Sequence, residues 1–213
     1  MSSESEREAA AKAHWDAVWG GKTPEDVSWF QPSPTPSLRA LEVAGVGPEA
    51  RLVDVGGGAS RLVDALLERG FRALTVVDLA EAALEAAKAR LGVEAEKVRW
   101  VAGDVRALEP EAIGPVDVWH DRAVFHFLTE AEDRARYRRL LEATLVPGGV
   151  AIVATFAPDG PEKCSGLPVR RWSAEALAEE LGLALVEGWR ETHETPWGSE
   201  QRFQWAVSAR FAR

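Results

Sequence analysis

The chain has 213 residues, 46% of them hydrophobic and 28% charged, which is typical of a soluble globular protein. Its 34 acidic and 25 basic side chains give a formal net charge of −9, which argues against nucleic acid as a partner because nonspecific binding needs a basic surface. The single cysteine, Cys164, excludes an internal disulfide and a cysteine zinc cluster. We therefore expect a cytoplasmic protein without a bound metal. No apolar run approaches the ~20 residues that cross a bilayer, so we expect no membrane partner.

The N-terminal part of the chain combines one helix with a proline-rich loop. The run Ser5–Glu8 reads as a capping box that begins a helix, and this helix should extend to about Trp19, where two glycines follow. Residues 22–37 contain four prolines and therefore predict an extended loop. Ser37 is predicted to cap a short helix. We interpret residues 1–47 as a helical and aromatic segment that covers a site as a lid.

From residue 51 onward, short strand-like runs alternate with helical runs, a pattern that predicts βαβ units and a parallel sheet. The predicted strands are 51–55, 73–78, 97–102, 116–120 and 150–156, and the predicted helices are 60–69, 80–91, 129–145 and 173–181. Two further strand-like runs, 184–191 and 202–211, have no helix between them. Strands joined so closely must be antiparallel, so the sheet should end in one reversed strand.

Three glycines follow the first predicted strand and precede a helix, in the string Asp54-Val-Gly56-Gly57-Gly58-Ala-Ser60. Glycine lets the backbone approach a ligand without a Cβ clash, and the start of a helix offers free N–H donors. A tight turn that binds nothing would also use glycine. The dinucleotide fingerprint needs a third glycine where this chain has Arg61.

Three carboxylates are predicted at the same edge of the sheet. Asp78 ends the second strand, 24 residues after Asp54, and Asp104 follows the third strand. Asp78 suits the position at which an acid accepts hydrogen bonds from ribose hydroxyls, although Asp78 and Asp104 could each merely cap a helix. Asp54 would repel a pyrophosphate but suits an ammonium group. The set fits a nucleoside with an amino-acid tail and no phosphate.

These residues resemble the class I S-adenosylmethionine-dependent methyltransferases, whose first motif, acid-x-Gly-x-Gly-x-Gly, appears here with Ser60 in the last glycine position. The resemblance covers about residues 48–213, which we take as the S-adenosylmethionine-binding domain. It implies an α/β, Rossmann-like three-layer sandwich whose seven-stranded, mostly parallel sheet has an antiparallel last strand. It also implies a set of cofactor-binding residues: Asp54, Gly56, Gly57, Gly58, Asp78 and Leu79 for the tail and ribose, Asp104 and Val105 for the adenine, and Asp121.

The resemblance places the methyl acceptor beyond the fourth strand. Asp121 and His126 are the acid and the imidazole expected near the methyl group, so they are the catalytic candidates, although His126 between two phenylalanines could equally be a core residue. Aromatic side chains attract a sulfonium or an ammonium group. The candidates for acceptor binding are Trp19, Trp29, Phe30, His126 and Cys164.

The acceptor is left open between a small molecule and a protein lysine. The aromatic N-terminal segment is similar to that of lysine methyltransferases that act on metabolic enzymes and translation factors. The Asp121-Arg122 pair and the ending Pro196-Trp197-Gly198 are similar to thiopurine-type S-methyltransferases. The main hypothesis is in-line transfer of a methyl group, with catalysis mainly by proximity. The alternatives are an NAD-type oxidoreductase and a non-catalytic nucleoside-binding protein.

Overall fold

The computed structural model describes residues 4–211, without the side chains of residues 4, 5 and 24. The helices are α1 (Glu4–Gly20), α2 (Thr35–Val43), α3 (Leu62–Glu68), α4 (Glu81–Leu91), α5 (Pro110–Ile113), α6 (Ala131–Thr144) and α7 (Ala174–Leu181). The strands are β1 (Arg51–Val55), β2 (Ala73–Asp78), β3 (Val98–Ala102), β4 (Val116–Arg122), β5 (Leu145–Phe156), β6 (Lys163–Cys164), β7 (Leu167–Pro168), β8 (Ala184–Glu194) and β9 (Glu200–Ala209).

Seven strands form one sheet in the order β3-β2-β1-β4-β5-β9-β8. The first five are parallel to their neighbours, and β9 pairs antiparallel with both β5 and β8. The last strand of the chain is therefore the reversed one, as predicted, and it lies inside the sheet with β8 at the edge. β6 and β7 form a separate small hairpin.

Helices cover both faces of the sheet and separate the core into two layers. One apolar cluster joins α2, α3 and α4 to residues such as Leu52 and Val118, and the other joins α5, α6 and α7 to residues such as Val53 and Trp119. Neighbouring residues of a strand point to opposite faces, so each strand contributes to both clusters. The expected Rossmann-like three-layer sandwich is confirmed.

The predicted strands and helices are confirmed with small shifts at their ends, but the prediction for Ser37 was wrong. Helix α2 begins at Thr35, so Ser37 lies inside the helix and is buried instead of capping it. Pro36 in the first turn explains the error, because proline is well tolerated there. Within the predicted loop, Pro24–Asp26 also forms one turn of 3-10 helix.

Helix α1 lies apart from the two layers. It contacts α4, and Arg7 forms an ion pair with Asp133 of α6 at 3.5 Å, so the helix crosses the edge of the sheet at which the parallel strands end. The side chain of Ser5 is outside the described residues, so the proposed capping box is not assessed. Within residues 4–211, no helix has the length and apolar character to cross a bilayer.

Candidate active site

A cavity of about 530 Å³ opens at the carboxyl ends of β1, β2, β3 and β4. In open α/β sheets this edge is the usual place for a ligand. Two parts of the chain enclose the cavity: the ends of the strands form its floor, and α1 with the loop that follows forms its cover. Asp54, Asp78 and Asp104, predicted to meet at one edge, all line it.

The glycine turn after β1 lies in close contact with two of these carboxylates. Gly56 and Gly58 have positive φ angles of +68° and +37°. A Cβ added to Gly57 would lie 2.6 Å from Asp54 Oδ2, and one added to Gly58 would lie 2.7 Å from Asp78 Oδ2. A larger residue in place of Gly57 or Gly58 would therefore displace an acidic side chain, and the backbone of the turn forms part of the cavity wall.

Asp78 ends β2 at the floor of the cavity. Burial raises the pKa of its carboxyl to about 7, and the nearby charge of Asp54 acts in the same direction. The Ala80 N–H donates to its Oδ1 at 2.8 Å and opposes this shift by stabilising the ionised form. The side chain therefore lies just before α4, whose N-cap is Ala80, and its burial leaves it poised to gain or lose a proton near neutral pH.

Asp104 lies beside Arg106, a partner that the sequence analysis missed. Arg106 Nε donates to both carboxylate oxygens of Asp104, at 2.9 and 3.1 Å, and Nη1 donates to Asp133 Oδ2 at 3.1 Å. The pKa of Arg106 is raised, mainly by its hydrogen bond to Asp104. Asp104 therefore lines the cavity as half of an ion pair, with its orientation fixed by a guanidinium group.

Asp54 belongs to a buried chain of three polar side chains. Its Oδ1 lies 2.7 Å from His120 Nδ1, and His120 Nε2 lies 3.0 Å from Ser37 Oγ. The three residues are 4%, 2% and 2% exposed, and all line the cavity. Neither Ser37 nor His120 was predicted as a site residue. The single usable signal was the position of His120 on β4, two residues before the strand ends.

Aromatic side chains line the cover of the cavity. Trp15, Trp19, Trp29 and Phe30 contribute to its wall. Trp29 contacts Trp15 and Trp19 edge-to-face, with ring centroids 5.7 and 6.4 Å apart, and Trp15 contacts Phe127 in the same way at 5.2 Å. Trp19, Trp29 and Phe30, predicted to bind the acceptor, therefore lie at the cavity, and each Trp also anchors the cover to its neighbours.

Cys164 and Arg122 also line the cavity. Burial raises the pKa of the Cys164 thiol to about 12, so the thiol is protonated at neutral pH and is a poor nucleophile. Arg122 donates from Nη1 to the Trp29 carbonyl oxygen at 2.9 Å, but its Nε and Nη2 are buried without a hydrogen-bond partner among the described residues. Burial lowers the pKa of Arg122.

The structure does not bring Asp121 and His126 to the cavity. Asp121 is fully buried on the opposite face of β4, where it accepts hydrogen bonds from Tyr137 Oη at 2.7 Å and from the Val124 N–H at 2.9 Å. Burial raises its pKa to about 6. His126 is fully buried, and burial lowers its pKa to about 3. A role for either at the methyl group has no geometric support, since neither lines the cavity.

His14 was not predicted either, but it faces the cavity from α1. Its Nε2 is buried without a hydrogen-bond partner among the described residues. It therefore replaces His126 as the imidazole that could accept a proton from a bound acceptor. The sequence placed His14 next to Trp15, and on that basis it was interpreted only as part of the lid.

Comparisons with known proteins agree with this geometry. Residues 52–149 match the family model described as a methyltransferase domain, and no curated protein matches. The structure of Burkholderia thailandensis 1,6-didemethyltoxoflavin-N1-methyltransferase, with bound 1,6-didemethyltoxoflavin and S-adenosylhomocysteine, is 21% identical over 99% of this chain and 92% of its own, with a TM-score of 0.71. An Anabaena variabilis S-adenosylmethionine-dependent methyltransferase is 17% identical over 95% and 94%, with a TM-score of 0.74.

The fold is that of the class I S-adenosylmethionine-dependent methyltransferases, and the carboxylate-lined cavity lies at the carboxyl ends of its parallel strands. Residues 52–149, a little under half of the chain, match the methyltransferase domain family, and one of the similar structures holds S-adenosylhomocysteine. A third similar structure, the [4+2]-cyclase SpnF, is 15% identical over 95% of this chain and 93% of its own, with a TM-score of 0.66. Because its name describes another reaction, the fold alone does not identify the acceptor.

Proposed function

We propose that this protein transfers the methyl group of S-adenosylmethionine to a small acceptor that carries negative charge. The single observation that carries the choice of acceptor is Arg122. Its guanidinium lines the cavity, and no carboxylate among the described residues lies within 4.0 Å of it, whereas the cavity residues Arg7, Arg61 and Arg106 each pair with one. The acid that attracts Arg122, Glu191, lies beyond ion-pair distance and accepts a hydrogen bond from Trp205 Nε1 at 2.6 Å, so an anionic ligand beside the buried guanidinium would be stabilised.

The cofactor half of the site is assigned to the residues that line the strand ends. Asp54 would hold the ammonium group of the amino-acid tail, Asp78 with Leu79 the ribose, and Asp104 with Val105 the adenine, over the backbone of Gly56, Gly57 and Gly58. When bound, the cofactor supplies an activated methyl group on a sulfonium centre. The fit rests on the glycine turn, where a Cβ added to Gly57 or Gly58 would strike Asp54 or Asp78, and on Asp54 itself, whose carboxylate would repel a pyrophosphate and so disfavours NAD.

The acceptor half is assigned to the aromatic cover and Arg122. Trp19, Trp29 and Phe30 give this half flat apolar walls, which suit a planar ligand. A lysine side chain would bring an ammonium group toward Arg122, and like charges at short range in a buried site repel strongly. The 1,6-didemethyltoxoflavin bound to the similar Burkholderia thailandensis enzyme is a small molecule, which supports the same choice.

Catalysis is assigned mainly to orientation. The cavity brings two reactants together under a cover that excludes water, and this supplies much of the rate of a transfer whose leaving group is already activated. Arg122 would favour the deprotonated acceptor, and His14 is placed to accept a proton. We further propose that residues 1–47 act as the cover, although α2 within them also packs on the sheet, and that the protein is cytoplasmic.

The test uses methyl-labelled S-adenosylmethionine and a cell lysate that retains its small molecules, and the products are then separated by size and charge. We expect label in low-molecular-weight compounds that bind an anion exchanger. Arg122→Met should reduce that labelling at least tenfold with little change in S-adenosylhomocysteine affinity, and the surface variant Arg39→Met should label normally.

Label on protein lysine would contradict the proposed acceptor. Binding of S-adenosylhomocysteine without any labelled product would support the non-catalytic alternative instead. If Arg122→Met labels small compounds at the wild-type level, the proposed role of this guanidinium in binding the acceptor is wrong.

A further inference from the structure

The buried chain Ser37–His120–Asp54 is not explained by methyl transfer alone. The three residues come from α2, β4 and β1, and they are separated by as many as 83 positions in the sequence. Asp54 and His120 are register partners in neighbouring parallel strands, so their side chains lie on the same face of the sheet. Helix α2 then brings Ser37 over His120 at 3.0 Å.

The chemistry of the three groups sets the direction of the hydrogen bonds. A carboxylate only accepts, so His120 Nδ1 carries the hydrogen that Asp54 Oδ1 receives at 2.7 Å. In the neutral imidazole the other nitrogen is then an acceptor, and the hydroxyl of Ser37 donates to Nε2. Asp54 thereby fixes the tautomer of His120, Ser37 helps to fix the orientation of the ring, and His120 in turn orients Asp54.

Asp54 needs such support because of what surrounds it. Its Oδ2 lies under the glycine turn, where a Cβ on Gly57 would come within 2.6 Å, and the carboxyl of Asp78 interacts with it electrostatically. No Lys or Arg of the described residues forms an ion pair with Asp54; its one partner of that kind is His120. A buried carboxylate beside a second acid therefore lacks a permanent cation.

We propose that Ser37 and His120 form a positioning relay that holds Asp54 ready for the ammonium group of the cofactor's amino-acid tail. This inference rests on the proposed function and names two positioning residues that act through Asp54. The ammonium group supplies the cation that Asp54 lacks, and the relay spares the carboxylate the cost of reorienting when the cofactor binds.

The test compares two ligands, one with and one without the amino-acid tail that carries the ammonium group. S-adenosylhomocysteine has the amino-acid tail, and 5′-methylthioadenosine keeps the adenosine and the thioether without it. Calorimetry on the full chain should show that His120→Ala weakens S-adenosylhomocysteine about tenfold or more, the scale of one charge-assisted hydrogen bond, and changes 5′-methylthioadenosine less than about twofold.

Three further variants separate positioning from folding. His120→Asn places an amide N–H near the position of Nδ1 and should recover part of the lost affinity. Ser37→Ala should weaken S-adenosylhomocysteine about threefold, a modest loss because it removes a neutral hydrogen bond. Ser208→Ala is the matched control, since Ser208 is equally buried and its hydroxyl has no partner among the described residues. Ser37→Ala carries the test if His120→Ala does not fold.

The outcomes discriminate between the inference and the function on which it rests. Equal losses of affinity for both ligands in His120→Ala and Ser37→Ala would show that the Ser37–His120–Asp54 hydrogen bonds have only a structural role, and would overturn the inference. Failure of the wild-type protein to bind either ligand would overturn the proposed function itself. The same three residue types form nucleophilic triads in hydrolases, so labelling of Ser37 by a fluorophosphonate would also overturn the positioning role.

Discussion

Two aspartates of this protein show how the surroundings of a carboxyl reverse its effect on stability. Burial raises the pKa of Asp78 to about 7, whereas the hydrogen bond from Arg51 lowers the pKa of Asp117 to about 2. The ionised form of Asp78 therefore destabilises the ligand-free fold, and stability from this group falls as the pH rises from about 4 to about 7. The ionised form of Asp117 stabilises the fold, and that contribution is lost as the pH falls through about 2.

Asp78→Asn should therefore separate stability from binding. At pH 8 the amide removes a buried charge, so the melting temperature of the ligand-free protein should rise by a few degrees, with ~2–4 °C expected for each kcal/mol in a chain of this size. At pH 4 the change should be small, because the native carboxyl is already protonated. Binding of S-adenosylhomocysteine should weaken at least tenfold. Thermal unfolding and calorimetry at both pH values measure these effects.

Asp117→Asn is the matched control for this prediction, because it should lower the melting temperature at pH 8 and leave the affinity unchanged. A melting temperature of Asp78→Asn that is lower than that of the wild type at pH 8 would contradict the role given to burial.

The sequence did not predict which of the neighbouring residues His120 and Asp121 would face the cavity. The alternation of strands and helices is local, so it was sufficient to place Asp54, Asp78 and Asp104 at one edge. Which face of β4 meets the cavity depends on register, and a shift of one residue exchanges the two faces. Asp121 was chosen for its charge, but register places His120 beside Asp54. The partners Ser37 and Tyr137 come from distant helices that no local pattern connects to β4.

At the scale of the element, the turn between β1 and α3 is the most constrained local structure of the site. Gly56 and Gly45 have nearly equal φ angles, +68° and +65°, in different surroundings. A Cβ on Gly56 would overlap the side chain of Val124, while one on Gly45 would meet nothing within 4 Å. The two positions therefore share the same backbone strain and differ in steric space.

Gly56→Ala and Gly45→Ala should consequently differ in their effect. Gly45→Ala should cost about 1 kcal/mol of unfolding free energy from strain alone and leave S-adenosylhomocysteine binding intact. Gly56→Ala adds the clash with Val124, so it should cost ~1–3 kcal/mol more and weaken binding at least tenfold. Urea unfolding and calorimetry measure both. Similar behaviour of the two variants would show that the turn does not need its close contact with Val124 after β4.

For the whole molecule, the main feature is that α1 contributes none of its described residues to either buried apolar cluster. Trp15 bridges α1 to Trp29 of the loop and to Phe127 beyond β4. The Arg7–Asp133 pair joins the same helix to α6. Segments with few buried contacts open more easily than the core. Helix α1 should therefore open locally while the sheet stays folded.

Hydrogen exchange of Trp15→Ala should show that α1 opens more easily than the sheet. We expect the amides of α1 to exchange about tenfold faster or more, with the amides of β1 and β5 unchanged, because the core does not depend on the Trp15 ring. Trp197→Ala is the control, since that ring is 59% exposed and its loss should change neither region. Uniformly faster exchange throughout the chain would show that α1 unfolds only together with the core.

The internal position of β9 has a consequence for synthesis on the ribosome. Phe203, Trp205 and Val207 are fully buried in β9, which pairs with β5 on one side and β8 on the other. Until β9 has been translated, β5 is an open edge and β8 has no neighbour, and exposed edges of this kind promote aggregation. The sheet therefore stays incomplete until β9 emerges from the ribosome, and we expect the nascent chain to be most prone to aggregation before that point.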